Sequence, residues 1–416
     1  MKKKKTNKIL ITSPFLVIFL ILFISFSYGP DIFSTTYDTG ENIISDVMEE
    51  IKEEKKPQSN IKYVKTPESV KTIYMSACVA GTKNFRNDLV ELIEETELNS
   101  IIIDIKDFTG TISFDTDNPE LLGVSGTGCK SADMKEFVAE LHEKGIYVIG
   151  RVTVFQDPFF TSIRPDLAVK KESDGSVWED YKGISFIEVG AKDYWKYILE
   201  LSKESHKLGF DEINFDYVRF PSDGNMKDIA FPFSKEIIIK DPDNGKAVAL
   251  EEFFEWLDSG IKDYNDGLDN PMITSADLFG MVTTNKDDLN IGQVLERALP
   301  YFDYVAPMVY PSHYPDGFNG WSDPNKYPYE LIKFVMEGGV ERVEDFLAST
   351  STPESKKERV STDQLRPWLQ DFDYGGNYGP KEVRDQINAT YDAGLDSWML
   401  WAASNRYTRA GLNDAE

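Results

Sequence analysis

From Thr72 to Arg406 the chain alternates short runs of β-branched and apolar residues with stretches of helical periodicity, eight times in succession. Few folds accommodate that rhythm. The strand candidates are Thr72–Ala80, Ser100–Asp107, Ile146–Phe155, Glu212–Phe220, Met272–Gly280, Tyr304–Ser312, Arg366–Phe372 and Ser397–Ala403. Between them apolar residues fall on single helical faces, as in Met134, Phe137, Val138 and Leu141, or Tyr194, Ile198 and Leu201. Gly145 and Gly394 stand just beyond predicted helices, and Pro380 stands where a first turn begins. Parallel strands joined by right-handed helical crossovers, eight in number, close most naturally into a (β/α)8 TIM barrel, here over residues 70–416. A doubly wound open α/β sheet is the alternative, but no strand candidate leads into a GxGxxG phosphate loop. Pro221–Leu250 and Leu347–Asp363 exceed plain connections and read as loop insertions.

Two segments of different character precede the barrel. Lys2, Lys3, Lys4, Lys5 and Lys8 lead into an uncharged, mostly apolar run from Ile9 to Tyr28. At ~1.5 Å per residue such a run spans the ~30 Å hydrocarbon core, so residues 1–30 read as a signal-anchor, a transmembrane helix with its basic flank in the cytoplasm. A cleaved secretory signal is the competing reading, with Ser25-Phe26-Ser27 as a weak cleavage site. Residues 31–69, in which Glu49–Lys56 is nearly all Glu and Lys, read as a charged stalk. Either way the barrel is expected outside the cell: held at the cell membrane by a single pass, or secreted if the segment is cleaved.

Charge and rare residues exclude several function classes. With 45 basic against 71 acidic residues the net charge is −26, which opposes nucleic acid as a partner. Cys78 and Cys129 are too few for a disulfide scaffold; in an oxidising exterior they pair, or they remain buried thiols. The three histidines do not make a zinc site. His142 and His206 fall in the last turns of predicted helices, where an imidazole suits the helix dipole. His313, in a predicted loop, is free for site work. No D-x-[DN]-x-[DN]-G loop argues for calcium, and no cofactor is expected.

In a barrel of this kind the site lies at the C-terminal ends of the strands. There Glu212-Ile-Asn-Phe-Asp-Tyr-Val-Arg-Phe-Pro221 places Asn214 and Asp216 on one face and Phe215, Tyr217 and Arg219 on the other. A carboxylate inside an apolar strand needs a partner, and Arg151 or Arg219 would serve in a purely structural role. Asp104 shares a strand face with Lys106, its expected partner. Asp277 ends the fifth strand and Asp371 lies on the seventh. The strand-end aromatics Phe155, Tyr217, Tyr310, Trp368 and Trp401 can pave a sugar platform or simply fill the core. The connection Pro311–Pro328, with His313, Tyr314, Phe318, Trp321 and Tyr327, lines a cleft or packs on the rim.

The segment FDEINFDYVRFPSDG resembles the signature of a bacterial glycosyl hydrolase domain family within the TIM-barrel glycosidase superfamily. IIIDIKDFTG, YVIGRVTVFQDP, YVAPMVYPSHY and RPWLQDF support it, and together the likeness covers roughly residues 70–410. It implies a (β/α)8 barrel acting on glycosidic bonds of an extracellular or cell-envelope polysaccharide. That chemistry uses two carboxyl groups, ~5–5.5 Å apart for retention and ~6.5–9.5 Å for inversion. By the pattern of similar retaining barrels Asp216 is the nucleophile; Asp277 is the expected acid/base, although many relatives carry Glu on that strand. Asp371 and Asp104 follow as further carboxylates, and Lys106, Arg151, Arg219 and Gln370 as groups that bind substrate or orient carboxylates. The acidic surface favours a neutral or cationic polymer. A carbohydrate-binding or scaffold protein that has lost catalysis is the alternative.

Overall fold

The computed structural model describes residues 61–415. The expected anchor and the stalk as far as residue 60 lie outside the described residues. Strands β1 (Lys71–Met75), β2 (Ser100–Lys106), β3 (Tyr147–Thr153), β4 (Glu212–Asp216), β5 (Ile273–Phe279), β6 (Tyr304–Met308), β7 (Trp368–Gln370) and β8 (Trp398–Trp401) pair in parallel in sequence order. Strand β8 pairs with β1 and closes the barrel. Each observed strand stops short of its sequence-predicted end. The chain turns outward there into the loops that carry the site: after β1, for instance, the Ser76 side chain accepts a hydrogen bond from the Val79 amide and starts a helix.

The crossovers are α1 (Ala77–Ala80) and α2 (Lys83–Glu95) after β1, α3 (Met134–Glu143) after β2, and α4 (Pro158–Ile163) and α5 (Lys192–Leu208) after β3. Then follow α6 (Lys235–Lys240) and α7 (Gly245–Asn265) after β4, α8 (Leu295–Ala298) after β5, α9 (Pro328–Ala348) after β6 and α10 (Pro380–Asp392) after β7. The insertion expected at Pro221–Leu250 thus contains α6 and the first turn of α7. Among the described residues no helix is long and apolar enough to cross a membrane.

Strands β2 and β3 are buried along their whole length, which is why they read as near-continuous Ile and Val runs rather than alternating ones. Their outward side chains meet Tyr194, Ile198 and Leu201 of α5 and Phe253 and Leu257 of α7 in one apolar shell. Phe155 belongs to that shell, 5.0 Å from Phe253, and not to the strand-end platform expected of it. The inside of the barrel is partly polar. At its N-terminal end Arg366 donates to both oxygens of Glu212, at 2.9 and 3.1 Å, with both side chains fully buried. Tyr147 and Ser275 also donate to Glu212. Residues 63–66 lie across this end: the Tyr63 hydroxyl donates to the His206 carbonyl and the Val64 amide to Asp211. His142 is bound to Asp211 and His206 to Tyr264, both at this end and away from the strand-top loops.

Cys78 and Cys129 form a disulfide, with Cα atoms 4.9 Å apart, that joins α1 to the β2–α3 loop across 51 residues. By chain entropy a loop of that length is worth about 4 kcal/mol at most. Reduction, or Cys78→Ser, is therefore expected to lower unfolding stability by about 2–4 kcal/mol in urea titration. A change under ~0.5 kcal/mol would show that the loop is already held by its other contacts.

Candidate active site

A cavity of about 390 Å³ opens at the C-terminal ends of the strands, and Arg151, Asp216, Tyr217, Arg219, Asp277, Tyr310, His313, Trp368 and Trp401 all line it. Nine of the thirteen site residues expected from sequence thus converge. Phe279, Gly280, Met281, Met308 and Tyr314 complete the wall. A Cβ at Gly280 would fall 2.5 Å from both the Met308 carbonyl and the Tyr314 hydroxyl, so only glycine lets β5 run into this wall.

The two central carboxyl groups sit in different surroundings. Asp216 Oδ2 accepts from Arg151 Nε at 3.1 Å and from Nη2, and Oδ1 accepts from the Tyr217 amide at 2.6 Å. Arg151 reaches on to Asp104 at 2.7 Å, and Tyr74 donates to the far oxygen of Asp104 at 2.6 Å. The ion pair with Arg151 considered from sequence is therefore present. It leaves Asp216 on the cavity wall rather than taking it out of the site. Among the described residues no cation pairs with Asp277. Its Oδ1 accepts from Asn214 at 2.9 Å and from the Trp368 indole at 2.8 Å, while among the same residues Oδ2 has no donor and is not sealed from the cavity. Burial, and then the charge of Asp216, push the Asp277 carboxyl up to about 8 against these two donors. Both influences favour the protonated form of Asp277, which faces the cavity beside Asp216.

Local backbone explains how Asp216, Tyr217 and Arg219 share one wall although strand alternation separates them. Tyr217 has φ of 52°, an uncommon value for a residue with a Cβ. That reversal ends β4, aims the Tyr217 amide back at Asp216 and swings Arg219 over the cavity. The Tyr217 and Phe279 rings then lie 5.0 and 5.1 Å from the Arg219 guanidinium. On the opposite side Trp401 stacks on Tyr74 at 4.1 Å and meets Trp368 edge-on at 5.7 Å.

Four expected residues lie elsewhere. Lys106 does not pair with Asp104: the β2–β3 register shifts between them, and Lys106 turns outward to Asp157 at 2.9 Å and toward the Tyr194 ring of α5. Asp104 lies behind Arg151 as its anchor. Gln370 is fully buried; it accepts from the Ser312 amide and donates to the Phe372 carbonyl, so it holds the loop bearing His313. Asp371 accepts from the amide and hydroxyl of Thr408 and borders a second hollow that shares His313 and Trp401 with the first. Of the aromatic connection, His313 and Tyr314 reach the cavity. Trp321 stacks on Tyr327, and with Phe318 it packs against Phe334 of α9, on the rim. Sequence reasoning missed Tyr74, which acts through Asp104 from near the C-terminal end of β1. Among the described residues no three His, Cys, Asp or Glu side chains gather to hold a metal ion.

A parallel eight-stranded closed barrel with Asp216 and Asp277 side by side among aromatic rings at its strand tops is a TIM barrel whose cavity opens where such barrels carry their sites. The chain belongs to the family described as "Putative glycosyl hydrolase domain", which matches residues 72–407. Among solved structures it is similar to the PgaB (BpsB) glycoside hydrolase domain from Bordetella bronchiseptica, at 14% identity and a TM-score of 0.57 over 82% of this chain and 95% of that one. It is also similar to a hypothetical protein from Ruminiclostridium thermocellum, 29% identical over 49% of this chain and 96% of that one, with a TM-score of 0.40. A search of curated proteins finds no significant match.

Proposed function

We infer that this protein is a retaining glycoside hydrolase that cleaves or transfers glycosidic bonds of an extracellular or cell-envelope polysaccharide, with Asp216 as nucleophile and Asp277 as acid/base. The observation that carries the reading is the pair of neighbouring carboxyl groups in contrasting surroundings. Asp216 is clasped by a guanidinium, while Asp277 is held protonated to about 8 by burial and by that neighbour. Asn214 is in register with Ser275 and Phe215 with Ala276, and one further step brings Asp216 level with Asp277. Adjacent strands are ~4.8 Å apart, which suits the ~5–5.5 Å separation of retaining pairs.

In the first half-reaction Asp277 protonates the departing glycosidic oxygen while Asp216 attacks the anomeric carbon. In the second, Asp277 takes a proton from a water whose oxygen attacks the anomeric carbon, which breaks the bond to Asp216 and releases the sugar. The disulfide is of the kind that persists in oxidising compartments and supports a place outside the cell, tethered by the residues 1–30 segment.

The test is reducing-end release from a panel of neutral, amino and acidic glycans by the full chain, with the first-formed anomer read by NMR. Turnover with retention, and a kcat/KM that falls tenfold per pH unit above about 8 as Asp277 loses its proton, are expected. No turnover on any glycan would sink the hydrolase reading, and an inverted first product would reassign Asp216 as the base.

A further inference from the structure

Arg219 differs from the other guanidinium of the cavity. Arg151 is engaged on both sides, by Asp104 and Asp216. Arg219 is half buried on the same wall, and among the described residues it makes no ion pair. Its hydrogen bonds run from Nη1, to the Phe220 carbonyl at 3.0 Å and the Ser222 hydroxyl at 3.2 Å. Among the described residues Nε and Nη2 have no acceptor, and they are not sealed from solvent. Asp180, whose charge reaches Arg219, is turned instead to the amides of Lys182 and Ile184. Burial pulls the guanidinium below the usual arginine pKa, and the charges of Tyr217, Asp216, Asp180 and Asp223 offset that only in part, none of them through an ion pair.

The placement of this cation is specific. The guanidinium is bracketed by Tyr217, the residue after Asp216, and by Phe279, two residues after Asp277. Two strand residues span about 6.6 Å, which puts the free N–H edge within reach of a substituent on a sugar held between the two carboxyl groups, or on its neighbour. A planar fork of two N–H donors matches a carboxylate in bidentate fashion.

We propose that Arg219, walled by Tyr217 and Phe279, is a carboxylate subsite and that the substrate is an acidic glycan whose sugar bears a carboxyl group there. The proposal rests on the glycosidase reading of the cavity and names its substrate class. It reverses the preference for neutral or cationic polymers drawn from net charge. Whole-chain charge is screened beyond ~8–10 Å in physiological salt, whereas Arg219 acts at contact.

The test uses oligosaccharides containing glucuronic, galacturonic or N-acetylmuramic acid, each paired with the same compound reduced from carboxyl to alcohol and with a sulfated analogue. Binding is measured at pH 7 to the full chain carrying Asp277→Asn, which slows turnover and adds no charge to the site, the raised pKa of Asp277 favouring its neutral form. At least one acid form is expected to bind tenfold or more tightly than its reduced form. Adding Arg219→Gln brings that ratio below threefold, and Arg219→Lys keeps part of it. No acid form favoured over its reduced partner, a larger preference for the sulfated analogue, or a preference that survives Arg219→Gln each overturns the proposal. Turnover of the same panel by the parent chain separates the two claims. Hydrolysis without acid preference refutes the subsite alone, and acid preference without hydrolysis of any glycan refutes the glycosidase reading.

Discussion

Replacing Asp277 by Asn is expected to lower kcat/KM on an ordinary glycan by at least ~10³-fold, about 4 kcal/mol of transition-state stabilisation. The same change should cost the bond-breaking step less than ~10-fold on a nitrophenyl glycoside. The contrast follows from the proton. An alkoxide leaving group needs the proton that Asp277 holds to about 8, whereas a nitrophenolate departs without one. Asp216→Asn removes the attacking group itself and should lose at least ~10³-fold on both substrates. In the Asp277→Asn protein the new amide oxygen can still accept from Asn214 and Trp368, so the wall is expected to keep its shape. Equal losses on both substrates for Asp277→Asn would remove it from the acid role. An active Asp216→Asn protein would leave Asp216 as the anchor of Arg151 and nothing more.

The second large effect lies at the other end of the barrel. Glu212 and Arg366 are fully buried, and Glu212 accepts from Arg366, Tyr147 and Ser275. Glu212→Gln leaves the Arg366 guanidinium uncompensated in a dry interior, and breaking such a pair costs about 3–5 kcal/mol. The Arg366 guanidinium lies 3.8 Å from the centre of the Tyr304 ring, which offsets only part of the loss. Urea titration of the folded variant is expected to show a lower midpoint with an unchanged slope. An unfolding free energy within ~0.5 kcal/mol of the parent would mean that water reaches the barrel base and screens the charge.

The barrel was legible because its strands are buried on both faces. Runs such as Ile101–Ile103 and Ile146–Ile149 admit few other placements, and helix stops such as Gly145, with φ of 77°, mark the crossovers. What failed depended on departures from strict alternation. The register shift between Asp104 and Lys106 sends two residues of one expected face to opposite sides of the sheet. The positive φ of Tyr217 brings two residues of the opposite face onto the Asp216 wall. Neither a bulge nor a left-handed residue other than glycine leaves a mark in composition or period, and both occur at the strand tops. Asp277 was singled out because it ends the strand next to the one that bears Asp216. The upward push on its carboxyl group was not readable, since it comes from burial and from Asp216, set against donors on Asn214 and Trp368 that reach it from two other strands.

Down the axis of the barrel the polar side chains form an unbroken series. Arg366 binds Glu212, Glu212 accepts from Ser275, Ser275 accepts from Asn214, and Asn214 donates to Asp277. The floor of the barrel and the Asp277 carboxyl group on the cavity wall are thus joined through one hydrogen-bonded column. A side chain lost anywhere along it leaves its neighbours short of a partner, so the polar interior stands or falls as one unit rather than as a separate base and rim.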